Sequence, residues 1–318
     1  MFAEQSGFLL ALLIILISFV IYVVLCPLFI KLLTKLSWRE TLKTDNADLH
    51  AHKAGTYTSG GVLIVSVVSI TSTIFGYEHS SIIVGLVISV VLFSIVGLID
   101  DALKICKGYG LIKSTKMGLL VLASVITMLI VPMYQVNTLF SALFALFILV
   151  GTSNSVNLTD GVDGLATSIC IIVLIIFLMS MLGVSNSHWF DHLAKSELSS
   201  LIVITACVLG SCLGFLIFNR HPAILFMGDT GSLALGGFIA MLSLMSSSPF
   251  ILALIGIVFV IEALSVIIQV SIFKYKGRRV FLRAPIHHHF EKRGWAENKI
   301  VVCFSVISAC AGLLALLI

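Results

Sequence analysis

The chain has 318 residues, of which 59% are hydrophobic and 11% charged, with a formal net charge of +4. Its mean hydropathy is +1.16. A soluble domain carries about 25% charged residues, so this composition excludes one and indicates a polytopic membrane protein. The apolar runs do not alternate with polar residues in segments of about ten, as barrel strands would, so an all-α architecture is expected.

Runs long enough to cross a hydrocarbon core of about 30 Å fall near 8–30, 60–76, 81–99, 116–132, 137–153, 164–184, 199–218, 231–247, 249–272 and 299–318. They predict ten transmembrane helices in a single integral membrane domain over 1–318. The longest polar stretches, near 31–59 and 273–298, are too short for a separate soluble domain. Only Glu4 is charged ahead of the first run, so that run is expected to remain in place rather than to be cleaved as a signal peptide. Lys and Arg favour cytoplasmic connections. With the N-terminus outside, every one except Lys195 falls in or beside a cytoplasmic connection, which puts both termini outside and the candidate active site on the cytoplasmic face. The seven cysteines show no CxxC spacing and are expected to pack as small apolar residues or, for Cys106, to lie in a connection.

Ionised carboxylates at membrane depth are costly unless they face a cavity, pair or hold a metal. The polar islands between the runs therefore carry the candidate functional residues. The loop Asp48–Gly61 is rich in Lys, Thr and Gly, and Lys53 can meet a phosphate as a point charge. Asp100 and Asp101 close the third run, with Lys104 four residues after Asp100 and Lys116 one connection later. Adjacent carboxylates repel unless a cation lies between them; a general base, a metal-ligand set and a pair held by lysines all suit this spacing. A helix C-terminus disfavours negative charge, which argues against acids that merely mark a helix end.

Asn154 and Asn157–Gly164 form a turn-rich loop with Asp160 and Asp163, in which Gly161 and Gly164 permit close backbone approach and Asp163 can cap the next helix. Asn219–Pro222 and Phe226–Ser232 lead into the eighth run. Small residues at a helix start expose N–H groups to an anion, so a phosphate seat is expected there. Asp229 beside it can hold Mg²⁺, which prefers carboxylate and phosphate oxygens. In the ninth run Glu262, Ser265 and Gln269 share one helix face, expected to point into the bundle or a polar groove rather than to lipid. His287, His288 and His289 occupy the most basic loop; consecutive residues rarely converge on one ion, so phosphate contact or general acid chemistry is the better expectation.

Acids for a divalent metal, lysines and histidines for phosphates, and Gly-rich turns on one membrane face together equip a chain for phosphoryl transfer to a lipid phosphate. No GxxxxGK[ST] string is present, which disfavours a P-loop ATPase. An ion-coupled transporter is the competing class, but it would place acids near the midplane in repeated halves, whereas these aspartates lie at the ends of runs.

Six strings in this order resemble the polyprenyl-phosphate N-acetylhexosamine-1-phosphate transferases, and most closely their muramoyl-pentapeptide branch: His50–Gly61, Asp100–Lys104, Asn157–Ala166, Phe226–Leu233, Glu262–Val270 and Ala284–Glu291. The resemblance covers essentially the whole chain. It implies a bacterial inner-membrane enzyme that transfers phospho-MurNAc-pentapeptide from UDP-MurNAc-pentapeptide to undecaprenyl phosphate, giving lipid I and UMP in peptidoglycan synthesis. A sister activity with UDP-GlcNAc is the alternative. The resemblance further implies ten spans, a homodimer, Mg²⁺ as cofactor and no nucleic acid polymer as partner. Carried over residue by residue, Asp229 resembles the Mg²⁺ ligand and Asp100 the base toward the lipid phosphate. Asp101, Lys104, Lys116, Asn157, Asp160 and His288 resemble the catalytic neighbourhood. Lys53, Thr58, Gly161, Val162, Asp163, Asn219, Phe226, His287 and His289 resemble the substrate contacts. Two departures stand out: Tyr57 and Ser59 replace the family's Pro and Met, and Leu120 stands where relatives commonly have Gln. Neither falls on an acid, so the acidic set is expected to be untouched.

Overall fold

A computed structural model describes residues 2–39, 55–76, 80–131, 137–185 and 187–318. Lys53, with His50 and His52, lies outside the described residues. Twelve α-helices are described: α1 (Phe2–Lys35), α2 (Gly61–Phe75), α3 (Ser80–Lys107), α4 (Lys113–Ile130), α5 (Leu139–Thr159), α6 (Leu165–Met181), α7 (Lys195–Asn219), α8 (Gly228–Leu244), α9 (Leu252–Ile255), α10 (Ile257–Lys276), α11 (Ile286–Lys292) and α12 (Glu297–Ala315). Seven are long and apolar enough to cross a membrane, and α2, α6 and α8 are shorter apolar helices. Each expected run thus finds a helix in a multi-pass membrane protein.

Three differences matter for function. Helix α3 runs on to Lys107 and α5 to Thr159, so Asp100 and Asp101 lie within a helix rather than at its end, and Asn157 lies on a helix rather than in a loop. Hydropathy falls at these points, but Ala102, Leu103 and Lys104 keep helix propensity high at the end of α3, and packing against α8 carries the Ser-, Asn- and Thr-rich end of α5. The ninth run is divided: a 3₁₀ turn at Pro249–Ile251 and the short α9 end at Gly256, and α10 begins at Ile257. Finally, the three histidines lie on the helix α11 rather than in a loop.

The centre of the bundle is α8, in which every residue from Thr230 to Leu244 is buried. A helix apolar all round belongs in such a position. It packs against α2, α3, α5 and α6. Lipid is as apolar as a leucine core, so helices in it associate through close packing and interhelical hydrogen bonds. Both occur here: a Cβ on Gly97 of α3 would sit 2.2 Å from the Asp229 carbonyl oxygen, and Ser153 Oγ of α5 donates to the Leu233 carbonyl at 3.0 Å. Leu9, Leu129, Phe140 and Phe147 face outward, as a lipid surroundings requires. The consequence of the small-residue crossings is positional. They hold the N-terminus of α8 against the C-terminal parts of α3 and α5, where the polar residues collect.

Candidate active site

Asp229, in the first turn of α8, is the hub of a charged cluster. Its Oδ2 accepts from Lys116 Nζ at 2.5 Å and lies 2.9 Å from Lys104 Nζ. Its Oδ1 accepts from Asn157 Nδ2 at 2.9 Å. Lys104 Nζ also lies 2.7 Å from Asp100 Oδ2, and Lys116 Nζ 3.7 Å from the same atom. Asn157 closes the ring by accepting from Lys116 at 3.2 Å and donating to Ser232 Oγ at 2.9 Å. Four helices therefore supply one site: α3 gives Asp100 and Lys104, α4 Lys116, α5 Asn157 and α8 Asp229. Lys104 keeps 28% of its side chain exposed and Asp229 13%, so the cluster opens to the surface at the bundle end.

Asp101 turns the other way. Its Oδ1 accepts from the Asp229 backbone N–H at 3.0 Å, and its Oδ2 accepts from the Thr230 N–H at 3.1 Å, Thr230 Oγ1 at 2.7 Å and Ser59 Oγ at 3.1 Å. A helix start offers unpaired N–H groups to an anion, and here the anion is Asp101 itself. The first two N–H groups after Gly228 are therefore taken, which corrects the expectation that this helix start is open for a phosphate. Gly228 has φ +72°, and a Cβ there would meet Asp101 Oδ2 at 2.5 Å, so only glycine allows the carboxylate to approach.

Ser59 overturns the expectation that the sequence departures leave the acids untouched. Its hydroxyl donates to Asp101 and accepts from Trp38 Nε1 at 2.9 Å. The segment around it is zipped to the start of α8, with Phe226 N donating to the Tyr57 carbonyl and Gly60 N to the Phe226 carbonyl, both at 2.8 Å. Tyr57 OH accepts from Thr34 at 2.9 Å and Arg39 at 3.1 Å. Leu120 is fully buried in the apolar core.

The turn after α5 forms a second group. Asp160 caps α5, while Asp163 does not cap α6, whose N-cap is Gly164 at φ +75°. Asp163 Oδ2 accepts instead from the Ala223 N–H at 3.0 Å and lies 3.1 Å from His221 Nδ1. The Asp163 N–H donates to Glu297 Oε2 at 3.0 Å. Asp163, His221 and Glu297 offer ligand atoms within 4.8 Å of one another, but imidazole suits zinc or copper better than Mg²⁺, and hydrogen bonds already engage the acids. The trio ties the turn to the segment after α7 and to α12. Val162 is buried, and Asn219 is buried between Thr167 Oγ1 and the Leu225 carbonyl.

The histidines diverge, as expected for consecutive residues. His287 is fully buried with Nδ1 3.1 Å from Glu262 Oε2. His288 Nδ1 pairs with Glu291 Oε2. His289 Nδ1 accepts from the Leu282 N–H at 3.1 Å. Burial holds His288 well below its ordinary value, at about 4, against the opposing pull of Glu291, so its imidazole is neutral near pH 7. On α10, Glu262 and Ser265 are buried, and Gln269 Oε1 accepts from the N–H groups of Val280 and Phe281 at 3.0 and 2.9 Å. Thr58 is buried, Phe226 half-buried and Gly161 half-buried beside the histidines. Ser59 was singled out from sequence only as a departure from pattern, and Ser232, His221, Glu291 and Glu297 were given no role there. Glu291, at i+3 from His288, carried a legible helical signal; the others are brought in by tertiary packing alone.

A model of the glycosyl transferase family 4 matches residues 83–247, which hold Asp100, Asn157 and Asp229. The chain is 42% identical to the phospho-N-acetylmuramoyl-pentapeptide-transferase of Clostridium perfringens (strain 13 / Type A), over 92% of this chain and 94% of that one. It is 38% identical to the protein of the same name from Clostridium novyi (strain NT), over 95% of each chain. The counterpart from Acetivibrio thermocellus is 37% identical over 92% of this chain and 90% of that one. With so much of each chain aligned, and with the carboxylate–lysine cluster inside the matched region, the chain belongs to the glycosyl transferase family 4, in its phospho-N-acetylmuramoyl-pentapeptide-transferase branch.

Proposed function

We propose that the chain transfers phospho-MurNAc-pentapeptide from UDP-MurNAc-pentapeptide to undecaprenyl phosphate, with Mg²⁺, releasing UMP and forming lipid I. The observation that carries this reading is the convergence of Asp100, Lys104, Lys116, Asn157 and Asp229 at one end of the bundle. Two carboxylates, Asp100 and Asp229, meet on the single ammonium of Lys104 at 2.7 and 2.9 Å. Hard oxygens converging on one positive charge are the donor set a divalent ion takes. Lys104 is a flexible, partly exposed point charge that can give way, so the residues fit Mg²⁺, with Asp229 and Asp100 to hold it. Bound there, the ion would neutralise charge on the diphosphate.

The chain's own residues do the rest. An oxygen of the lipid phosphate attacks the sugar-bearing phosphorus, a new P–O bond forms, and the bond to the bridging oxygen breaks so that UMP leaves with that electron pair. Asp100, which faces the lysines while Asp101 is bonded to the start of α8, orients the lipid phosphate and takes its proton. Lys104 and Lys116 offset the charge that gathers on the phosphoryl oxygens. Asn157 fixes Asp229 and Lys116 relative to one another. His288, neutral near pH 7, serves as a hydrogen-bond donor or acceptor without adding charge. Asp160, Gly161, Val162, Asp163, Asn219 and Phe226 border the nucleotide side.

Purified protein supplied with undecaprenyl phosphate and Mg²⁺ is expected to release UMP from UDP-MurNAc-pentapeptide at least tenfold faster than from UDP-GlcNAc. Release from UDP-GlcNAc alone would transfer the assignment to the sister activity. No release from either donor would end the transferase reading.

A further inference from the structure

Glu262 and His287 are both 0% exposed, and neither belongs to the carboxylate–lysine cluster. They come from different elements, Glu262 from the second turn of α10 and His287 from the first turn of α11. The carboxylate oxygen 3.1 Å from Nδ1 fixes the ring orientation and favours a proton on that nitrogen. The far edge of the ring is then Nε2, which is buried and has no hydrogen-bond partner among the described residues, as is Glu262 Oε1. Buried polar atoms without partners are costly and call for an explanation, and an apolar pair would fill the same space without that cost.

What Nε2 faces supplies the explanation. A Cβ on Gly161 would sit 2.3 Å from Nε2 and 3.3 Å from Cε1 of His288. The imidazole edge therefore rests on the backbone of the turn that joins Asp160 to Asp163, at a separation that only glycine allows. The His287 ring also lies 4.1 Å from the His288 ring. From its other side the same turn is held by His221, the Ala223 N–H and Glu297.

We infer that Glu262 and His287 are positioning residues: Glu262 aims the His287 ring, whose edge sets the height of the Gly161 backbone and the place of His288 beside it. Fully enclosed, neither side chain touches substrate. Their effect falls on the Asp160–Asp163 turn, and so on the nucleotide end of the donor rather than on the lipid phosphate. This inference rests on the transferase reading for its substrates, but its packing half stands without it.

The test is a double-mutant cycle with Gly161→Ala and His287→Ala, read in detergent by thermal midpoint and by KM for each substrate, with Glu262→Gln and Glu262→Ala alongside. Gly161→Ala is expected to raise KM for the UDP-linked donor at least tenfold and to leave KM for undecaprenyl phosphate within twofold. In the His287→Ala background, where the ring edge is gone, the same substitution should raise donor KM less than threefold. Glu262→Gln, which can still accept from Nδ1, should stay within threefold of wild type, and Glu262→Ala should shift donor KM in the same direction as Gly161→Ala. Additive effects of Gly161→Ala and His287→Ala on both readouts would overturn the contact. Coupling in thermal midpoint with unchanged donor KM would leave the pair merely structural and overturn the positioning role. If wild-type protein releases no UMP, the transferase reading fails by itself, and the midpoint cycle still decides the contact.

Discussion

Replacing Asp101 by Asn separates anchoring from chemistry within the adjacent acid pair. In the wild type, Oδ2 of Asp101 serves three donors, Ser59 Oγ, Thr230 N–H and Thr230 Oγ1, and Oδ1 serves the Asp229 N–H. An amide keeps the most bonds by leaving its oxygen at the Oδ2 position, which points its NH₂ at the Asp229 N–H. That buried donor loses its acceptor, at about 1–3 kcal/mol, and the helix start loses its anion, at about 0.3–1 kcal/mol. The sum is about 1–4 kcal/mol. At about 2.1 cal/mol/K of unfolding entropy per residue, a chain of 318 residues should lose about 2–6 °C in thermal midpoint. Turnover should fall only about tenfold, through displacement of Asp229. Asp100→Asn should keep its midpoint within about 2 °C, because an amide oxygen at the Oδ1 position still accepts from the Leu111 N–H and the NH₂ that replaces Oδ2 faces Lys104, whose partly exposed ammonium keeps Asp229, while turnover falls about 10²–10⁴-fold. The two variants are compared by thermal unfolding and UMP release in the same detergent. A wild-type midpoint for Asp101→Asn together with an activity loss as deep as that of Asp100→Asn would refute the assignment.

Asn157→Ala removes the side chain that spans Asp229, Lys116 and Ser232; turnover should fall about 10–100-fold, measured by UMP release at saturating substrates. His288 gives a pH signature. Its pKa is held at about 4 by burial, against 6.5 for the free side chain, so the unfolded chain takes up a proton that the folded one refuses. The stability contribution is full above pH 6.5 and is lost as pH falls toward 4. Between pH 7 and pH 5 the wild type should therefore lose about 2 kcal/mol more than His288→Gln, read from denaturation at the two pH values.

The helices were legible because each apolar run is continuous and does not alternate; seven of the described helices are long and apolar enough to cross a membrane and three are shorter. Their ends were not, because hydropathy falls at Asp100 and Asn154 while the helical backbone continues to Lys107 and Thr159. The acids were legible as a set through their cost in lipid, and the resemblance named the same positions. What each one does was not legible. Neighbours on a helix point about 100° apart, so Asp101 meets the start of α8 while Asp100 meets the lysines, and only packing reveals which faces which. Ser59 read as a departure from pattern and emerged as a partner of Asp101, because its neighbours belong to α3 and α8, remote in sequence. The Glu262 face was correctly expected to point inward, but its partner His287 lies across an intervening basic segment.

The central claim is that Asp229 is where charge on the transferred phosphoryl group is met, with Mg²⁺, Lys104 and Lys116 around it. It is tested most directly by UMP release from UDP-MurNAc-pentapeptide in the presence of undecaprenyl phosphate, with Mg²⁺ titrated, for the wild type and Asp229→Asn side by side. The account predicts saturable Mg²⁺-dependent release from the wild type and none above background from a folded Asp229→Asn protein at any Mg²⁺ concentration. Near-normal, Mg²⁺-dependent release from Asp229→Asn would contradict it.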